Sequence, residues 1–138
     1  MVASVDGAEQ LPKADLLLCA TSTTERIVRD EHLRSAAVVC DVSRPSNVCT
    51  EVCHRRPDVL VIDGGIIRMP SGATLSFKTS SLDRGQAYAC MAETMMLAIT
   101  QRYADTSLGF DLPLEQVFAM DRLARELGFQ VVLDRRTG

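Results

Sequence analysis

Residues 15–20, DLLLCA, form the first of three short apolar runs in the sequence. The second run is residues 37–42, AVVCDV, and the third is residues 59–62, VLVI. Each run is too short for a helix, is rich in aliphatic side chains and is apolar at both odd and even positions. Strands that are buried inside a parallel sheet have this pattern. The three runs therefore predict three parallel strands that are covered on both faces.

The segments between the runs predict the crossovers that parallel strands require. Residues 22–34 contain a short helical stretch around residues 30–33. Residues 47–56 offer one or two amphipathic turns, which Pro57 ends. Because strands and crossovers alternate, the sequence predicts an α/β fold.

Two longer helices are predicted in the second half of the chain. Ser80 and Asp83 have the spacing of a capping box, and the apolar residues between positions 87 and 99 continue a helix to about Tyr103. A second helix starts near Pro113 and ends at Gly128. No internal repeat or long linker divides the sequence, so residues 1–138 are expected to form a single domain.

Composition excludes several classes of function. The net charge is −3 and the basic residues are scattered, which argues against a nucleic-acid partner. No apolar run approaches the roughly 20 residues of a membrane helix, and the first nine residues lack the order of a signal peptide. Five cysteines make an odd number, and Cys19 and Cys40 lie inside apolar runs. Reduced thiols and a cytoplasmic location are therefore expected.

Small or polar residues follow each predicted strand. They are Thr21-Ser22, the segment at residues 43–46 (SRPS), and Gly64-Gly65. Ligands of open parallel sheets bind outside the carboxyl ends of the strands, so these loops predict one crevice. Paired glycines let backbone amides approach a ligand, although a tight turn explains them equally well. Asp41 and Asp63 end strands and could act as general acids or bases, but carboxylates at strand ends more often bond to a ligand hydroxyl or cap the following turn.

Cys90 is the candidate nucleophile, because a thiolate attacks thioesters readily. A helix that starts at Ser80 would place Cys90 about three turns from the N-terminus, where the helix dipole has faded. A buried cysteine acting as a small hydrophobe is therefore the alternative. Cys49, Cys53 and His54 are clustered, but no second cluster completes four ligands, so no metal site is predicted.

Four segments of the sequence together resemble the motifs of one protein family. Three of them are successive strand-loop units, at residues 14–22 (ADLLLCATS), 40–48 (CDVSRPSNV) and 62–66 (IDGGI). The fourth, residues 86–97 (QAYACMAETMML), is similar to the family's Q-x-[FY]-A-C-x-A-E-[ST]-M-x-L helix, which carries its nucleophilic cysteine. This family is the long-chain acyl-(acyl carrier protein) reductases. The segments occur in the family's order, and the resemblance spans nearly the whole chain.

The resemblance implies the C-terminal half of a doubly wound, Rossmann-type sheet that binds NADPH. It implies that Cys90 takes an acyl group from acyl carrier protein or acyl-CoA as a thioester, which hydride then reduces to a fatty aldehyde. It also implies that the glycine-rich first half precedes Met1, so that this chain alone is expected to bind cofactor poorly and to be inactive. The residues that would line the cofactor are Thr21, Ser22, Asp41, Val42, Ser43, Pro45, Gly64, Gly65 and Ile66.

Two alternatives stay open at the level of sequence. One is a non-catalytic half-domain that self-associates through the apolar helix at residues 86–103. The other is part of a different NAD(P)-dependent dehydrogenase, because the A-T-S and D-x-x-x-P elements also resemble shikimate dehydrogenase and glutamyl-tRNA reductase domains. In that case Cys90 would be a core residue. Only the helix around Cys90 distinguishes the acyl reductase interpretation from the other dehydrogenases.

Overall fold

The chain comprises two compact units. The computed structural model describes residues 7–75, 82–107, 109, 111–133 and 136. Unit 1 consists of Met1–Gly64 together with Leu133–Gly138, and unit 2 consists of Gly65–Val132. Each unit contains its own cluster of buried apolar residues.

Unit 1 is built on a three-stranded parallel sheet. Its strands are β1 (Leu16–Cys19), β2 (Val38–Asp41) and β3 (Leu60–Asp63), in the order β1-β2-β3. The register aligns Leu17 with Val39 and Val39 with Val61. The three predicted strands, their parallel pairing and the α/β class are thereby confirmed.

Short helical segments provide the connections of unit 1. Helix α1 (Gly7–Gln10) and a 3-10 turn (Leu11–Lys13) precede β1. A 3-10 turn (Asp30–His32) lies between β1 and β2, and helix α2 (Thr50–Arg55) lies between β2 and β3. Both crossovers were predicted at these places.

The two faces of this sheet differ, and the prediction that both are covered is wrong. On one face, Val39 and Val61 are buried, as are residues of both crossovers such as Leu33 and Val52. On the other face, Leu16 is 67% exposed and Leu18 is 64% exposed. The reason is that both crossovers send their apolar side chains into the same cluster, which leaves the opposite face of β1 to solvent.

Unit 2 contains an antiparallel sheet that the sequence did not predict. Its strands are β4 (Ile66–Arg68), β5 (Gln86–Tyr88) and β6 (Gln130–Val131), in the order β5-β4-β6. Helices α3 (Ala89–Ile99) and α4 (Leu114–Glu126) complete the unit. Strands of two or three residues are too short to show a periodic pattern. The core consists of Met69, Ala87, Ala92, Met96, Leu123 and Phe129.

The predicted start of the first long helix is wrong. Gly85 has a φ of +83°, which is outside the helical region, and the next three residues pair with β4 as strand β5. Helix α3 begins only at Ala89, whose N–H donates to the carbonyl oxygen of Gly65 at 2.8 Å. Ser80, the predicted cap, lies outside the described residues.

The second long helix is confirmed. Pro113 is the N-cap of α4, and Gly128 has a φ of +81° just beyond its end. Within the described residues, neither α3 nor α4 nor any shorter helix has both the length and the apolar character that a membrane crossing needs.

Candidate functional site

A buried carboxylate organises the carboxyl edge of the parallel sheet. Asp41 ends β2 and has no exposed surface. Its Oδ1 accepts a hydrogen bond from the N–H of Ser43 at 3.0 Å. Its Oδ2 accepts from the Ser46 hydroxyl at 2.7 Å and from the N–H of Asn47 at 3.0 Å. Of the roles left open for Asp41, capping the following turn is the one that the structure shows.

Arg136 attaches the end of the described chain to this edge. Its N–H donates to the carbonyl oxygen of Val61 at 2.8 Å. Its guanidinium donates to Asp63 at 2.9 Å, to the Ser46 hydroxyl at 2.9 Å and to Asp41 at 3.4 Å. Burial opposes ionisation of Asp41, but hydrogen bonds from Ser46 and Ser43 and the charge of Arg136 hold its pKa below the ordinary value.

The loops after the three strands meet, as predicted. The backbone N–H of Thr21 donates to the Ser43 hydroxyl at 3.0 Å, and the Thr21 hydroxyl donates to Asn47 Oδ1 at 2.8 Å. The guanidinium of Arg44 donates to the carbonyl oxygen of Gly64 at 3.0 Å. Asn47 is fully buried and joins the first two loops, a role that sequence reasoning missed. Its position six residues after Asp41 was the available signal.

The predicted cofactor-binding residues are divided between the units. Thr21, Ser22, Val42 and Pro45 are exposed in unit 1, whereas Asp41, Ser43 and Gly64 are buried there. Gly64 has no space for a side chain, because a Cβ would lie 2.5 Å from Cγ1 of Val42. Gly65 and Ile66 lie in unit 2, where their carbonyl oxygens accept from the N–H groups of Ala89 and Val132. Contact of these residues with a nucleotide stays a prediction.

Cys90 lies at a cavity within unit 2. It is the second residue of α3 and its side chain is exposed, so the expectation of a position three turns into a helix is wrong. The cavity has a volume of about 660 Å³ and is formed by α3, α4 and the segments near β4 and β6. Apolar residues make up most of its wall, among them Met96, Leu112, Val117, Met120, Ala124 and Phe129.

The same cavity contains a small number of polar side chains. Glu93 accepts a hydrogen bond from the Thr106 hydroxyl at 2.7 Å. Arg125 donates to Asp121 at 3.0 Å, and this hydrogen bond raises the pKa of Arg125. Glu93 was not among the functional residues predicted from the sequence. Its spacing of three residues from Cys90, which puts both on one side of a helix, was the signal that could have found it.

The other cysteines form no second site within the described ranges. No group of histidine, cysteine and acidic residues there could hold a metal ion, and the Cys49 thiol donates to the carbonyl oxygen of Arg26 at 3.7 Å. Cys19 is buried, and burial, with smaller contributions from Asp41 and Cys40, raises its pKa to about 11. Cys90 therefore differs from Cys19 in that its thiol can be reached from solvent.

Comparison with known proteins corrects the functional interpretation. No family model matches the chain. The chain is 31% identical over 127 residues to aminotransferase PigE of Serratia sp. (strain ATCC 39006). The match covers 91% of this chain but only 15% of that protein. Because an aminotransferase belongs to a different enzyme class, this match overturns the interpretation of the chain as part of an acyl reductase.

Replacement of Asp41 by asparagine should destabilise unit 1. Asp41→Asn removes a buried charge that faces Arg136, and we expect a loss of about 3 kcal/mol in the free energy of unfolding at pH 7. Since folding lowers the pKa of Asp41, the stability that its charge contributes is present above about pH 4 and is lost as pH falls through the folded pKa. Urea denaturation at pH 7 and pH 3 measures both effects.

The matched control is Asp15→Asn, which changes an exposed carboxylate paired with Arg34. We expect a loss below about 1 kcal/mol there. Equal losses for the two variants, or a loss for Asp41→Asn that does not shrink at pH 3, would contradict the assigned role of Asp41.

The cysteines should react in a defined order. At pH 8, iodoacetamide should modify Cys90 first, because its side chain is exposed, and Cys19 last, because it is buried and its pKa is raised. Peptide mapping by mass spectrometry at several times gives the order. The urea-unfolded chain is the control, in which all five thiols should react at similar rates. Modification of Cys19 as early as Cys90 in the folded chain would contradict the burial of Cys19 and the exposure of Cys90.

Proposed function

We propose that this chain is a small-molecule-binding part of a larger enzyme, and that the cavity of unit 2 binds the apolar portion of the molecule. The cavity itself carries this proposal. Its volume of about 660 Å³ lies within the range of roughly 300–1,000 Å³ that small-molecule sites occupy. Its mostly apolar wall with a few polar groups is the composition that such sites have.

Exposed apolar side chains at the cavity support the same function. Leu112 is 45% exposed and Val117 is 43% exposed, and both contribute to the wall. Each Å² of apolar surface that a ligand removes from water contributes roughly 25 cal/mol to binding. Leu123, in the second half of α4, is buried in the core of unit 2. A ligand could therefore cover the exposed wall without displacing the core.

Cys90 supplies the reactive group of this cavity. Its thiol both contributes to the wall and can be reached from solvent. A nucleophile needs both access and a place where the reacting molecule is held, so the position supports the predicted nucleophilic role. The amino-group transfer in the relative's name belongs to the whole of that protein, of which this chain corresponds to a 15% share.

Filling part of the cavity should weaken the binding of an apolar probe. Nile red should bind to the chain with an increase in fluorescence, and Cys90→Trp should weaken this binding by about tenfold or more because the indole occupies the cavity. The control is Ala98→Trp, an exposed position on the same helix outside the cavity wall. Equal binding by both variants, or no saturable binding by the unmodified chain, would contradict the proposed function.

For unit 1, we propose the finer fold assignment, namely the C-terminal half of a doubly wound sheet with NADPH at its carboxyl edge. The parallel order β1-β2-β3 and the meeting of three loops at that edge support it. The exposed Thr21, Ser22, Val42 and Pro45 would contact the nucleotide.

A titration followed by nicotinamide fluorescence tests the NADPH assignment. Since the chain alone is expected to bind the cofactor poorly, we expect weak but saturable binding that Ser22→Glu weakens further, because a carboxylate at the carboxyl edge repels the phosphates. Ser71→Glu, an exposed position in unit 2, is the control and should leave the affinity unchanged. Absence of saturable binding would remove the nucleotide from the proposal and leave the cavity of unit 2 unaffected.

A further inference from the structure

The charges of the side chains that line the cavity of unit 2 do not sum to zero. The charged side chains are Glu93, Asp121 and Arg125. Asp121 and Arg125 form an ion pair with each other at 3.0 Å, so their charges cancel. Glu93 has the neutral hydroxyl of Thr106 as its hydrogen-bond partner, and none of the ion pairs among the described residues includes it. One negative charge is therefore left over in a largely apolar cavity.

The helix dipole of α3 reduces this charge but does not reverse it. The N-terminus of a helix is equivalent to roughly half a positive charge, and its influence fades within the first turn. Cys90 lies in that first turn, and Glu93 lies three residues further along the helix. Because the full charge of Glu93 exceeds the half charge of the helix end, the cavity favours a cation over an anion.

We propose that the ligand of this cavity is an apolar primary amine, which binds as an alkylammonium ion. This inference rests on the proposed function of the cavity. The alkyl chain lies against the apolar wall and the ammonium group donates to the Glu93 carboxylate. An ammonium group has three donors, so it can also donate to the Thr106 hydroxyl oxygen, 2.7 Å from Glu93. An alkyl carboxylate would place two negative charges together.

The chemistry of such a ligand also gives it a place in a reaction sequence. A primary amine is formed when an amino group is transferred to an aldehyde or ketone, and it is consumed by the reverse reaction. Amino-group transfer is the reaction class in the name of the protein that this chain resembles over 91% of its length. The reaction that supplies or consumes the ligand would therefore be an amino transfer.

Three probes with the same chain length separate charge from apolar burial. Octylamine, octanol and octanoate are titrated into the full chain by calorimetry at pH 7 and low salt. We expect octylamine to bind about fivefold more tightly than octanol, as suits one partly exposed ion pair, and octanoate to bind more weakly than octanol. In Glu93→Gln, octylamine should bind no more tightly than octanol does to the same variant. Glu115→Gln, on α4 outside the cavity wall, should keep the full preference.

The outcomes distinguish the two proposals. If none of the three probes binds, the proposed function of the cavity fails. If octanol binds but octylamine binds no more tightly, or octanoate binds as well as octylamine, only the amine assignment is overturned. A preference that persists in Glu93→Gln also overturns it. If Glu93→Gln does not fold, the preference for octylamine over octanol is measured with the unmodified chain at increasing salt concentration. The preference should shrink as ionic strength rises, because salt screens the ion pair. A preference that stays constant contradicts the assignment.

Discussion

The buried carboxylate of Asp41 is the interaction on which the arrangement of unit 1 depends. An ionised group without exposed surface costs several kcal/mol unless hydrogen bonds and an opposite charge compensate it. The compensation comes from the loop at residues 43–48 and from Arg136. Compensation of the Asp41 charge fixes the loop after β2, and Ser43 and Asn47 of that loop bind the loop after β1. It also explains why Arg136, near the end of the described chain, lies against the sheet.

In unit 2, the arrangement of the cavity residues depends on the residue at which α3 begins. Pairing of β5 with β4 and the hydrogen bond from Ala89 to Gly65 delay the helix until residue 89. Cys90 then lies in the first turn and Glu93 follows three residues later, so that both reach the cavity. A helix that began at Ser80 would have placed the same residues in its middle. The chemistry of the cavity therefore depends on where a short strand ends.

The sequence predicts unit 1 better than unit 2 for a physical reason. Runs such as residues 37–42 carry a dense apolar signal, and parallel strands need crossovers, so sheet and connections follow together. Strands β4, β5 and β6 are held by pairing with distant segments, which no local pattern records. Apolar residues between positions 87 and 99 are present as the helix prediction assumed, but the first of them, Ala87, is buried as part of a strand.

The candidate site was also predictable only in part. Cys90 was predicted from its chemistry and does lie at a cavity, whereas the importance of Glu93 depends on Thr106, thirteen residues away in sequence. The burial of Asp41 and its bond to Arg136 join positions 95 residues apart, so the sequence left its role open between ligand binding and capping. The resemblance to acyl reductases supplied a chemistry that the comparison with an aminotransferase does not support.

A crystal structure of the chain with 2-(4-bromophenyl)ethylamine, whose aryl bromide does not react with thiols, tests most directly whether the cavity of unit 2 binds an apolar ligand. The anomalous signal of bromine locates the apolar end of the ligand independently of the surrounding density. A bromine peak against Val117 and Met120, with the amine beside Glu93, is the predicted result. Bromine found only on the surface of the chain, or a cavity filled by the side chains of α4 itself, would contradict the assignment.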